Sequence, residues 1–274
     1  MDASTDKGRS QADPVIHPTA IVEPGARLGR AVTVGPYCIV GSGAELEDGV
    51  TLRSHVVVEG RTRIGAGTEV WPFTTLGTAP QHLRYEGEDT RLIIGPNCVI
   101  REQVSIHKGT EIGGGETVIG AHTMVMAASH IAHDCKIGEH VIVASNCTLG
   151  GHVTVGDHVF LGGLAGVHQF CRIGAYAFVG GAAAVNIDVI PFGSAVGNRA
   201  KLGGLNLVGM KRAGFSRATI NEIRSAYRDL FNDDALSFKD RVAKVAECYG
   251  HCPEVMMIVD FIRADADRPV LGAR

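Results

Sequence analysis

The chain has 274 residues, 45% of them hydrophobic, and a formal net charge of −3, a balance that gives no reason to expect general nucleic-acid binding. No run approaches the ~20 apolar residues of a membrane-spanning helix. The polar first dozen residues lack the apolar stretch of a signal peptide, so residues 1–14 read as a disordered start and the chain as cytoplasmic.

From Ile16 an aliphatic residue recurs every six positions: Val22, Leu28, Val34, Val40, Leu46, Leu52, Val58, Ile64, Val70 and Leu76. After an insertion at 77–92 the series resumes as Ile94, Ile100, Ile106 and Ile112, slips by one residue to Ile119, and runs on to Val185. Six is neither the helix nor the strand period but that of a solenoid. The fourth residue after each aliphatic one is small or β-branched (Cys38, Ala44, Thr68, Thr110, Cys135, Cys147), which suits a narrow, densely filled interior. Glycine often follows the aliphatic residue, as at Gly35, Gly120 and Gly138, and suits corners where the backbone turns sharply. A hexad is then one short strand plus a corner, and three hexads close a coil of eighteen residues. Residues 15–190 hold about nine coils at ~4.8 Å spacing.

Five of the seven cysteines fall on the small interior register and read as buried hydrophobes. Beyond Pro191 the period stops, and residues 191–274 read as a helical domain. Ser216 and Ser237 are candidate N-caps, and Pro253 suits a first helical turn.

Eighteen residues per coil convert sequence distance into stacking. His133, Gly151 and Gln169 share one column, with Asp134 and His152 in the neighbouring one and His130 and His168 at nearby corners. A histidine one coil from a glycine N–H is a plausible general base beside an oxyanion donor. His122, His140 and His158 form a second ladder that reads as cover for an outer face. His130 and His133 should point apart around a corner, so no metal site is expected.

The segments HIAHDCKIG (130–138), LGGHVTVGD (149–157), GVHQFCRIGA (166–175) and GMKRAGFSR (209–217), with APQHLRYEGE and IHKGT upstream, resemble the UDP-N-acetylglucosamine O-acyltransferases of lipid A biosynthesis, which are hexapeptide-repeat acyltransferases. The resemblance implies an all-β left-handed parallel β-helix with a C-terminal α-helical domain, assembled as a homotrimer with active sites between subunits. It implies transfer of an (R)-3-hydroxyacyl group from acyl carrier protein to the 3-position of the UDP-sugar, with His133 as general base, Asp134 supporting it and Gly151 as oxyanion donor. Gln81, His82, Arg84, His107, His130, His152, His168, Gln169 and Arg212 would contact the substrate, and Gly180 and Gly181 would line the acyl groove. No cofactor is implied, since phosphopantetheine arrives on the donor. His82 stands where the family usually carries Asp, leaving a hydroxyl or a 3-amino acceptor open. Val208 and Ala213 replace a frequent Glu and a second Arg. The competing readings are a zinc enzyme of the γ-class carbonic anhydrase type and a non-enzymatic hexapeptide scaffold.

Overall fold

An interior that takes one large and one small side chain per hexad leaves room only for short strands. The computed structural model describes residues 13–231, 235–264 and 269–272; most of the expected disordered start lies outside them. Its strands are mostly two residues long, and every third one pairs in parallel. Val15–Ile16 joins Thr33–Val34, Ile21–Val22 joins Ile39–Val40, and Arg27–Leu28 joins Glu45–Leu46. The result is a prism with three flat faces, here A, B and C, of eleven, nine and eight strands. Val40, Leu52, Ile64, Ile106, Ile131 and Leu149 are fully buried along its axis; each such side chain stabilises the fold by about 1.5–3 kcal/mol.

The small register lines the corners. Its hydroxyls donate to backbone carbonyls, Thr68 to Gly95 at 3.0 Å, Thr74 to Arg101 at 2.7 Å and Ser129 to Ala144 at 3.0 Å, so no polar group there is buried without a partner. Cys38, Cys98, Cys135, Cys147 and Cys171 are buried as expected, and burial pushes the thiols of Cys135 and Cys147 up to about 12.

The glycines have a different role from the one their sequence position suggests. Gly35, Gly120 and Gly138 are not left-handed; the residue two places on is, and it carries a side chain: Tyr37 (φ 57°), His122 (57°) and His140 (55°). The glycines instead allow close approach of coils. An added Cβ at Gly35 would overlap the Arg53 carbonyl, and one at Gly120 the Gly138 carbonyl. The left-handed residues stack down the vertices. His122, His140, His158 and Tyr176 lie 4.7–4.9 Å apart in near-parallel planes, and Tyr176 meets Phe192 at 5.4 Å.

Two coils are longer than eighteen residues, and both bulge at the vertex between faces B and C. Arg61 pairs with Arg91, 30 residues on, and the strands Thr75–Thr78 and Arg91–Ile94 reach into both ends of the insertion expected at 77–92. Arg91 pairs with Glu116, 25 residues on. The expected one-residue slip is therefore a seven-residue excursion. Ile112, expected inside, is 62% exposed on a 3₁₀ turn, Glu111–Gly113, and Ile119 takes the interior place.

After Pro191 an antiparallel hairpin, Gly193–Val196 with Lys201–Leu205, extends face A before the helices begin. The hexad pattern does not announce it. The helices are α1 (Leu207–Arg212), α2 (Arg217–Phe231), α3 (Phe238–Cys248) and α4 (Pro253–Arg263). Ser216 accepts the Thr219 N–H at 3.0 Å, Ser237 accepts that of Asp240 at 3.2 Å, and Asn206 caps α1 through Gly209 at 2.9 Å. Their core joins Met210, Ile223, Leu230, Val245 and Ile258 to Ile190 and Phe192 at the top of the prism. Among the described residues no helix is long and apolar enough to cross a membrane.

Candidate active site

The vertex between faces B and C collects most of the expected site. Residues 131–137, 149–155 and 167–173 each turn from B to C, so His133, Gly151 and Gln169 occupy equivalent places in successive coils. The His133 ring lies directly against Gly151: a Cβ there would sit 2.6 Å from its Cε1 and 2.8 Å from its Nε2. Glycine is therefore required by the imidazole itself. The Gly150 and His152 N–H groups are spent on the carbonyls of Val167 and His133 at 2.9 and 3.0 Å. The Gly151 N–H has no such partner among the described residues and remains available to a bound oxyanion.

His133 is 8% exposed and Asp134 4%. Their side chains meet at 2.7 Å, Nδ1 to Oδ2. The carboxylate also accepts the Thr110 N–H at 2.8 Å and its O–H at 2.6 Å. Surrounded by donors, Asp134 requires the proton on Nδ1 of a neutral His133 imidazole, which leaves the Nε2 lone pair facing outward from that contact. His152 approaches the same carboxylate at 3.8 Å, stacks on Phe170 at 4.4 Å and meets the His133 ring edge-on at 5.1 Å.

His107 and His130 form a second pair on face B, rings 4.8 Å apart, with Ser105 Oγ 2.8 Å from His130 Nδ1. Burial, then the neighbouring His130 and His133, hold the His107 pKa down to about 4. Burial also lowers those of His130 and His152. His107 Nδ1 is buried without a protein partner, a position suited to a ligand polar atom. The long insertion folds back on this vertex: the His82 ring meets that of His133 at 5.1 Å, and Lys108 lies over Tyr85 at 5.3 Å. Gln81 and Arg84 are exposed on the same loop, and His168 and Gln169 are exposed one coil above Gly151.

Three expected residues lie elsewhere. Gly180 and Gly181 turn from face A to face B. Arg212 lines a cavity of about 460 Å³ over face A with Phe160, Phe178, Ser194, Asn206 and Val208. His130 and His133 do not converge; among the described residues the potential metal ligands that do are His133, Asp134 and His152. There the Asp134 oxygens are already occupied by Thr110 and His133, a donor set that suits an orienting carboxylate better than a cation.

Ser105 and Thr110 were not legible as site residues. Thr110 falls on the small register and reads as interior filler, and Ile112 mimics the period and hides the excursion. The step of thirteen from Ile106 to Ile119, two hexads plus one, is the signal that marks it.

Residues 116–151, which carry this vertex, match the bacterial transferase hexapeptide family model, and the class is that of the hexapeptide-repeat acyltransferases. Residues 188–271 match domain 2 of the UDP-N-acetylglucosamine O-acyltransferases. The chain is 56% identical over 255 residues, 93% of its length and 97% of the relative's, to the acyl-[acyl-carrier-protein]–UDP-N-acetylglucosamine O-acyltransferase of Caulobacter vibrioides. It is 47% identical to the enzyme of the same name from Rhizobium johnstonii, over 92% of this chain and 93% of that one. The solved structure of LpxA from Acinetobacter baumannii superposes with a TM-score of 0.89 at 41% identity, covering 95% of this chain and all of that one. The chain belongs to the UDP-N-acetylglucosamine O-acyltransferase family, and its coil is the left-handed parallel β-helix of that family. The zinc-enzyme and scaffold readings fall with that result.

Proposed function

We propose that the chain transfers an (R)-3-hydroxyacyl group from acyl carrier protein to the 3-position of UDP-N-acetylglucosamine, or of its 3-amino analogue, as the first step of lipid A biosynthesis in the cytoplasm. The observation that carries the mechanism is the His133 ring, held by Asp134 at Nδ1 and lying against Gly151 of the next coil. His133 Nε2 takes the proton as the sugar nucleophile attacks the thioester carbonyl. The negative charge that develops on the carbonyl oxygen is met by the Gly151 N–H. Collapse breaks the C–S bond, and the imidazolium returns its proton to the departing phosphopantetheine thiolate. A positioned base contributes about 10²–10⁴-fold, and an oxyanion donor about 10²–10³-fold.

His107, His130, His152, His168 and Gln169 surround the sugar in this reading, with Gln81, His82 and Arg84 closing over it. Arg212 and Asn206 take the nucleotide. Within one chain the His133 vertex is opposite face A, where Arg212 and the Phe160–Phe178 pair lie. One sugar nucleotide cannot span the prism, so the site is completed by a neighbouring subunit of a homotrimer. Val99, Met124, Ile142, Phe160 and Phe178 run up face A as a half-buried apolar stripe suited to that contact. Exposed Arg217, Arg224 and Arg228 on α2 suit an acidic carrier protein. At Gly181 an added Cβ meets only the Gly163 carbonyl, at 3.3 Å, leaving room for an acyl chain of about twelve carbons or more at ~0.8 kcal/mol per buried CH₂.

The test is acyl transfer from a panel of carrier-protein thioesters to the hydroxyl and 3-amino UDP-sugars, with wild type and His133→Ala. The variant is expected to lose at least about a hundredfold in kcat while remaining folded and trimeric. Turnover within tenfold of wild type, with chemistry rate-limiting, removes His133 from the base role.

A further inference from the structure

The seven-residue excursion after His107 does more than interrupt the coil. It places Thr110, 2% exposed, against Asp134 from the preceding coil. We infer that Thr110 is a positioning residue of the acyl transfer, acting through Asp134 to fix the tautomer and angle of His133. The inference rests on His133 being the base.

Three observations carry it. Thr110 holds both carboxylate oxygens, its N–H on Oδ1 at 2.8 Å and its O–H on Oδ2 at 2.6 Å, and Oδ2 is the atom that meets His133. The direction of that hydroxyl is set as well: as cap of the 3₁₀ turn, Thr110 Oγ1 accepts the Gly113 N–H at 3.1 Å, so its single proton is directed to Asp134. Finally, the turn leaves space for the carboxylate and little more. A Cβ on Gly113 would overlap Asp134 Cγ and both its oxygens, and Gly113 does not have a positive φ. Glycine is needed there for the carboxylate's volume and not for the backbone. From the other side Thr117 Oγ1 accepts the Asp134 N–H at 2.8 Å. Asp134 is left-handed at φ 60°, and this grip from side chain and backbone fixes an otherwise unfavourable corner.

The excursion supplies an outer layer of hydrogen bonds around Asp134 from residues outside the hexad repeat, and such layers set the geometry of the group that reacts.

The experiment uses the intact trimer. Thr110→Val removes the hydroxyl and keeps shape and N–H, Thr110→Ser restores the hydroxyl, and Gly113→Ala intrudes on the carboxylate. For each, kcat and KM are measured together with the ¹⁵N shifts of the His133 ring. Thr110→Val and Gly113→Ala are expected to lower kcat by about 10–100-fold with KM for the UDP-sugar within about threefold, and to populate the Nε2–H tautomer of His133. Thr110→Ser should return both readouts towards wild type. The inference fails if Thr110→Val keeps kcat within twofold, or if kcat falls while His133 stays wholly Nδ1–H and Ser gives no rescue. Should His133→Ala itself keep turnover, the base reading falls, and the tautomer shift alone decides whether Thr110 orients the ring.

Discussion

His107 is the most perturbed imidazole of the vertex. Burial comes first, and the like charge that His130 and His133 would carry adds to it, so His107 stays neutral in the folded chain down to about pH 4 against 6.5 in an unfolded one. The sign follows: between those values the unfolded state binds a proton that the folded state does not, so stability is full above about pH 6.5 and is lost as pH falls towards 4. His130 shifts in the same direction, and so does His152, although Asp134 pulls the latter back. The melting temperature should therefore drop across this window, and His107→Gln should flatten the drop; an unchanged slope in the variant would assign the loss to other groups. His133 and His152 were legible from the eighteen-residue spacing, because a straight solenoid preserves sequence intervals as distances, whereas His107 precedes the excursion and was singled out only by the family resemblance. Thr110 was not legible, because its role depends on an excursion whose residues keep no interval at all.

Two positions of the hexad carry opposite constraints. Gly35 occupies a place where coils touch, and Ala31, exposed at φ 53°, one where the backbone is left-handed. Gly35→Ala is expected to destabilise the fold by about 1–3 kcal/mol through overlap with the Arg53 carbonyl. Ala31→Gly should be neutral or stabilising by up to about 1.5 kcal/mol, because the strain it relieves, ~1–2 kcal/mol, is offset by greater freedom of the unfolded chain, ~0.4–1 kcal/mol. Denaturant titration of both variants checks the pair; a destabilised Ala31→Gly would mean that the left-handed corner costs nothing. Sequence reading located the glycine position and attributed the turn to it, since conformational freedom and lack of bulk are the same letter in a sequence; the left-handed position of Ala31 emerged only in the fold. The helix caps at Ser216 and Ser237 were readable because a capping hydroxyl acts within three residues. The hairpin before them was not, since Gly193–Val196 pairs with residues that have no hexad pattern.

The prism itself dictates that a composite site has a directional dependence between subunits. If His133 of one subunit works with Arg212 of the next, then His133→Ala and Arg212→Ala, each inactive alone, should complement when co-expressed. Random mixing in a closed ring of three leaves roughly a quarter of the sites with both intact residues. Isolated mixed trimers, from which the inactive homotrimers are removed, each keep one intact site of three, so a specific activity of roughly a third of wild type is the expected outcome, and none at all would place both residues in one subunit's site. The three-sided coil could be read from the period. Which face lies opposite which vertex could not be related to function until Arg212 was seen over face A.

The ladder also has two unlike ends. Of the interior series, Ile16 is 44% exposed at the lower one and Val22 and Leu28 are half-buried, while Val32 and every interior aliphatic residue for several coils above it are at most 1% exposed, and the helices cover the upper end. In a linear array each rung is held only by its neighbours. Opening the lowest rung breaks one interface, and opening a middle rung breaks two. The molecule should therefore unzip from one end, with amides of residues 15–28 exchanging with solvent hydrogen well before those of residues 131–155, which would open only with the whole array. Equal protection along the ladder would show instead that the array melts as a block. If it unzips, the lower coils act as a fuse: thermal or denaturant stress frays rungs remote from His133 first, and acyl transfer outlasts the first loss of structure.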